Sequence, residues 1–250
     1  MNWSAIYQRV FKFAVALAAA SAAYGWYRQT VLYGYTAHES EGLNTVILLV
    51  SGIFSVMYAF VIFVIWSQFT EVENLVMREC NSLHDLLRFS EHANADAQHA
   101  IRGAVADYLR AVLKSEWQSL SQRRRDRQTE KAFSEIVDAV LSAPRPDPAE
   151  EAAFERLTGI MQAAGERRDE RIAKSLTRIP PTLVRLVHTM AGLLLLMIFV
   201  YPFHYWPIGL ACFDLLAVVL FLANVVMEDT DNPFEGVCNV SPQPFRDLLQ

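Results

Sequence analysis

Cysteine is scarce in this chain and scattered. Cys80, Cys212 and Cys238 are the only three in 250 residues, and no pair has the CxxC spacing of a zinc knuckle or a redox motif. Isolated thiols of this kind fit a reducing compartment better than a disulfide framework. Strand-length runs of alternating polar and apolar residues are also missing, which argues against a half-buried sheet. No Gly-rich phosphate loop, nucleophile elbow or HExxH pair occurs. Catalysis therefore has no visible support, and no cofactor is expected. Charge is missing too, but only locally. Positions 43–66 (LNTVILLVSGIFSVMYAFVIFVIW) hold 24 residues without one charged side chain.

A bilayer core about 30 Å thick needs roughly 20 helical residues, so 43–66 predicts a membrane span. Positions 208–227 form a second such run, interrupted only by Asp214 and Asn224, and 186–203 a third, closed by Pro202 and Pro207. The first candidate, 13–27, is short and rich in alanine, with Arg9 and Lys12 before it. A signal peptide is the rival reading there. The charge distribution favours a retained span. Positions 68–181 carry 17 of the 22 Lys and Arg, whereas the two loops on the far side carry one, Arg28. With four crossings the basic middle and both termini lie on the cytoplasmic side, as the positive-inside tendency requires.

The expected fold is all-α: an integral membrane protein with four transmembrane helices and a helical cytosolic block built largely from extensions of the membrane helices. Residues 1–66 form a first hairpin, 67–181 the block, 182–227 a second hairpin and 228–250 a tail. After Trp66 the apolar stripe continues without a breaker through Leu75, Val76, Leu83, Leu86 and Leu87, so the span is expected to run on into the block. A second helix is expected over 96–120 with Asp96 as N-cap, a third over 129–141 and a fourth over 149–178. The connection between the last two spans, YPFHYWP, has the aromatic character of a membrane interface.

Several constellations have a plain reading and a sharper one. Asn44, Ser51 and Tyr58 recur every seven residues on the second span, with Leu48, Ser55 and Ile62 beside them. Such a mildly polar stripe can pack helices closely; alternatively Asn44, Ser51, Ser55, Tyr58 and Ile62 form a pore wall that gates by dewetting. Asp214 is an ionisable residue inside a span. It either snorkels to the outer interface, lines a conduction path, or pairs with His188 or Arg185. His188 and Arg185 mark the start of the third span. His92, Asp96 and His99 would share a helix face, but an N-cap at Asp96 breaks that register, and no metal is expected. Glu228, Asp229 and Asp231 read as solvated helix-end acids, since calcium needs about six to eight oxygens in a defined loop. Arg123–Arg127 (RRRDR) reads as a solvated charge cluster. The block 68–181 balances 17 basic against 19 acidic residues, which excludes a nucleic-acid surface.

The order of segments carries a further signal: two spans, a helical block, two spans, then DNPFEG. Within it stand Glu79 in VMRECNSL, Glu116 and Trp117 in SEWQ, Arg168 and Arg171 in RRDER, Ile179-Pro180 before the third span, and Asp231, Pro233, Phe234 and Gly236 near the end. This pattern resembles the bestrophin-like domain proteins of bacteria, a branch similar to bestrophin anion channels. The resemblance implies a homo-oligomer in the bacterial inner membrane, a pentamer in bestrophins, whose second span lines a central pore for inorganic anions. It also implies that the Pro-Phe segment folds back onto the block, with Phe234 as the plug. The cytosolic end of the second span, VIWSQFTEVE, lacks the aromatic and charged residues bestrophins carry there, and the tail lacks the acids of their calcium clasp. The alternative is a non-conducting membrane protein that senses or interacts through its cytosolic helices.

Overall fold

Backbone groups inside a bilayer find no water, so an uncharged run must satisfy its own N–H and C=O groups, and a helix does this residue by residue. Four stretches of the chain are helical and apolar enough to cross a membrane: Tyr7–Thr30, Glu41–Ser90, Glu151–Val200 and Trp206–Thr230. The computed structural model describes residues 3–30, 40–144, 148–235 and 238–250. Its helices are α1 (Trp3–Thr30), α2 (Ser40–Ser90), α3 (Ala95–Ala111), α4 (Trp117–Ser121), α5 (Arg127–Leu141), α6 (Pro148–Leu176), α7 (Pro181–Val200), α8 (Trp206–Thr230) and α9 (Gln243–Leu249). The protein is an all-helical membrane protein, with no strand among the described residues. Residues 31–39 of the first hairpin, 145–147 after α5 and Gly236 lie outside those residues.

The boundaries follow from local chemistry. The absence of a breaker after Trp66 lets α2 continue as one helix of 51 residues. Pro181 opens α7 at a position where a missing N–H costs nothing. One expectation needs correction. Asn94, not Asp96, is the N-cap of α3: its backbone is extended and its side chain accepts from Ala97 N at 2.8 Å. Asp96 stands inside the first turn, where its charge complements the helix dipole. The single helix expected over 96–120 is also divided. A π-helical segment, Val112–Glu116, separates α3 from α4. Val112 and Glu116, its first and last residues, are both buried.

The chain forms two compact units, Met1–Trp66 with Ile179–Asp231 and Ser67–Arg178 with Asn232–Gln250. In the first, Phe54, Val61 and Ile65 pack with Val187, Leu194 and Met227. There α1 and α8 are joined by a Phe13–Phe221 stack at 3.9 Å and an Arg9–Glu228 ion pair at 2.7 Å. Tyr24 is fully buried between Phe199 and Phe213. In the second unit, Val76, Leu83 and Leu86 of α2 pack with Ile101 and Leu109 of α3, Ile136 of α5 and Leu157 of α6.

Candidate functional site

Charged side chains are almost never fully buried unless paired, so the second unit's interior stands out. Glu79, Glu116 and Arg171 are each fully buried and Arg168 nearly so. They come from α2, the π segment and α6. The spacing of Arg168 and Arg171 places both on one face of α6. Arg171 Nε donates to Glu79 Oε2 at 2.6 Å, and its Nη2 donates to Glu116 Oε2 at 2.7 Å. Arg168 Nη2 donates to Glu116 Oε1 at 3.3 Å. Two carboxylates thus meet two guanidiniums, and the cluster is neutral. Glu116, at the end of the π segment, is the residue that joins both arginines.

Tyr108 completes the network by donating its hydroxyl to Glu79. Burial, and then the Glu79 carboxylate, hold its pKa well above the ordinary tyrosine value, so it stays a donor. Burial works against the charge of Arg171, but Glu116 and Glu79 outweigh it, and its pKa is raised well above the arginine norm. Both effects fix protonation states and tie α2, α3 and α6 to one charge pattern. In the sequence Tyr108 falls on the apolar stripe of the helix expected over 96–120. Its usable signal was a buried tyrosine, whose hydroxyl needs a partner.

Above Arg171 lies an aromatic lid. Its guanidinium carbon is 5.9 Å from the Trp117 ring centre and 5.7 Å from that of Phe245. Trp117 meets Phe234 edge-on at 5.0 Å, and its Nε1 donates to Val240 O at 3.3 Å. Phe234, Val240 and Phe245 are all buried. Pro233 turns the chain, and Val240 N returns a hydrogen bond to Pro233 O at 2.7 Å. Phe234 of the DNPFEG segment therefore buries its ring against Trp117. Cys80 donates to Pro244 O at 3.1 Å beneath the same segment. Burial, Glu79 and Asp247 push its thiol pKa up to about 11, so it is an inert packing group.

The membrane unit distributes the second-span stripe over two surfaces. Asn44 and Ser55 are exposed, whereas Ser51, Tyr58 and Ile62 are half-buried. Tyr58 packs on Phe54 at 5.4 Å, and both Tyr58 and Ile62 join the apolar core of their own unit. Ser51 and Ser55 donate to the carbonyls of Ile47 and Ser51 at 2.6 and 2.8 Å. The uncovered face of the span is therefore centred elsewhere, on Leu48, Gly52, Ser55, Val56, Ala59 and Phe63. Val56 and Phe63 are 72% and 68% exposed.

Asp214 accepts a hydrogen bond from Ser21 Oγ of α1 at 2.8 Å, rather than meeting His188 or Arg185. Ser21 also lies 2.8 Å from Leu17 O, so one hydroxyl serves both neighbours. His188 is exposed, with Nδ1 2.7 Å from Val184 O of its own helix. Asp231, at the end of α8, accepts from Ile179 N at 3.1 Å. His92 lies in the turn between α2 and α3, off the helix that carries Asp96 and His99.

The comparisons with known proteins agree with this architecture. The family model for the Bestrophin-like domain matches residues 15–245. A crystal structure of a bacterial bestrophin homolog from Klebsiella pneumoniae is similar at a TM-score of 0.68 and 14% identity, covering 98% of this chain and 96% of that one. A crystal structure described as a membrane protein gives 0.69 at 13% identity, covering 98% and 96%. A substituted form of the Klebsiella pneumoniae homolog gives 0.60 at 16%, covering 99% and 97%. At these identities the likeness to the solved structures establishes the fold. No curated protein matches the chain.

Proposed function

The chain belongs to the bestrophin-like domain family, and from that premise we propose that it forms an ion pathway as a ring of identical subunits. Five copies in the bacterial inner membrane, with both termini cytoplasmic, is the arrangement proposed. Inorganic anions are the proposed permeant species, and the second span is the proposed pore helix.

One observation carries the reading beyond family membership. In a single chain, α2 leaves a whole face of its span uncovered, while its opposite face is packed by Val187, Leu194 and Met227. Lipid can cover such a face, and so can the same helix of other subunits around an axis. The small residues Gly52, Ser55 and Ala59 on that face support the second covering, because they allow close approach. Nothing stands within 4 Å of a side chain added at Gly52. The proposed wall keeps Asn44 and Ser55 and extends to Leu48, Gly52 and Ala59. Ser51, Tyr58 and Ile62 flank it.

A wall this apolar gates by wetting rather than by a fixed charge. Because the hydroxyls of Ser51 and Ser55 already bond to their own helix, they must rotate before they can donate to an anion. The buried cluster of Glu79, Glu116, Arg168 and Arg171 is the proposed brace that keeps the soluble helices in one arrangement.

A halide flux assay in liposomes tests the proposal. Flux above that of protein-free vesicles is the expected result. Potassium flux without halide flux would replace the anion assignment. No flux from a verified oligomer would leave the alternative, a non-conducting membrane protein acting through its soluble helices.

A further inference from the structure

Between α4 and α5 the chain places arginine at four of five successive positions: Arg123, Arg124, Arg125 and Arg127. The backbone there is held from both sides. Arg123 N bonds Leu120 O at 3.0 Å and Arg124 N bonds Ser119 O at 2.9 Å, the paired bonds of a Schellman helix end. On the other side Asp126 caps α5, accepting from Thr129 N at 3.2 Å and from Ser115 Oγ at 2.6 Å. Burial works against the Asp126 charge, but the hydrogen bonds from Ser115 and Thr129 prevail and lower its pKa. That carboxylate is thus engaged by its own turn.

The turn's centre is unusual. Arg123 has φ of 60°, the left-handed conformation that this helix end ordinarily gives to glycine. An exposed long cation stands where glycine would fit best. Arg125 faces Glu130 at 3.6 Å. Among the described residues, Arg123, Arg124 and Arg127 make no ion pair.

The turn is also tied to the places where the chain meets its spans. Ser121 O accepts from Asn232 Nδ2 at 3.2 Å, and Asn232 Oδ1 accepts from Arg178 Nη2 at 2.8 Å. Asn232 is two residues past Thr230, the last residue of α8, and Arg178 is three residues before Pro181, the first of α7. Two extended residues span at most about 7 Å and three about 10 Å, so Asn232 and Arg178 stay that close along the chain to the ends of α8 and α7. The acids at the same end of α8 are partly engaged: Glu228 by Arg9 at 2.7 Å and Asp231 by the Ile179 amide at 3.1 Å.

From these observations we infer that the 123–127 turn is a docking surface for anionic phospholipid headgroups. Three guanidiniums without an ion pair stand on a turn held from both sides and bonded to Asn232, which the chain joins to α8 within two residues, and they match a layer of lipid phosphates. The inference requires the spans to cross a bilayer and does not require a conducting pore.

The test uses the full chain in a neutral detergent, titrated with phosphatidylglycerol and read by bound-lipid occupancy in native mass spectrometry. The variant Arg123→Gly, Arg124→Gln, Arg127→Gln should bind more weakly by about fivefold per arginine, on the order of a hundredfold in all. A control lacking the same charge elsewhere, Arg110→Gln, Lys114→Gln, Lys131→Gln, should bind within about twofold of the unaltered protein. Arg123→Gly alone suits the turn's backbone, so it preserves a readable loss should the triple variant not fold. Equal weakening in the control would overturn the inference, as would undiminished binding in the triple variant. Competition by millimolar inorganic phosphate would overturn it in favour of a free-anion site.

Discussion

The two units solve the same problem of buried polarity in opposite ways. In the second unit, four charges are enclosed and matched to one another, with Tyr108 and an aromatic lid completing the enclosure. In the membrane unit, the described polar contacts between helices join single pairs: Ser21 with Asp214, Arg28 donating to Phe203 O, and Arg9 with Glu228. The membrane unit instead leaves an apolar face of α2 uncovered. A closed network favours a single internal arrangement, because any shift of α6 would strand a charge. An uncovered face does the reverse and leaves its final contacts to lipid or to other subunits.

Breaking the closed network should give the largest effect. Arg171→Met leaves Glu79 buried without its main partner and should cost about 3–5 kcal/mol. A denaturant melt of the second unit checks this, and adding Glu79→Gln should recover part of the loss. If the single variant melts like the parent, the enclosed charges do not hold the unit together.

Next is the lid. Phe234→Ala removes the ring against Trp117 and should cost about 3 kcal/mol. An unchanged melting temperature, or an unchanged rate of proteolysis after Asn232, would show that the tail is not docked.

The membrane unit should respond more mildly and for a steric reason. A methyl group at Gly209 would collide with Tyr24 Oη and the Phe203 ring, whereas nothing lies within 4 Å of one at Gly192. Gly209→Ala should therefore destabilise by about 1–3 kcal/mol, and Gly192→Ala should be neutral or slightly stabilising. Equal behaviour of the two variants would contradict the close approach of α1 and α8.

The smallest expected effect is on pH dependence. The folded thiol of Cys80 has its pKa raised from 9.0 to about 11, so its stabilising contribution is complete below pH 9.0 and is lost as pH rises toward 11. Cys80→Ala should flatten that part of the stability curve. In alkylation at pH 8, the exposed Cys238 should react well before Cys80. The opposite order would show that the tail opens.

Much of this contrast could be read from residue order. Uncharged length revealed the spans, and the lack of a breaker after Trp66 revealed the long α2. Periodicity also marked the helices of the second unit, but their ends depended on single side chains, and Asn94 took the cap assigned to Asp96. The residues of the closed network were visible as a motif, yet their meeting was not. Arg171 reaches Glu79 across 92 positions and Glu116 across 55, and no local rule pairs them. Helical spacing puts Glu116 on the buried face with Tyr108, Leu109 and Val112, but a charged side chain there does not read as core. The stripe on the second span shows the same limit. A seven-residue spacing aligns Asn44, Ser51 and Tyr58, but the neighbours that bury Tyr58 and leave Asn44 bare come from elsewhere in the chain.

The most direct test of the central claim is particle symmetry in lipid nanodiscs by electron microscopy. Rings with α2 nearest the axis, five subunits in each, are the predicted result. A monomer or a dimer with the Gly52–Ala59 face turned to lipid would contradict it.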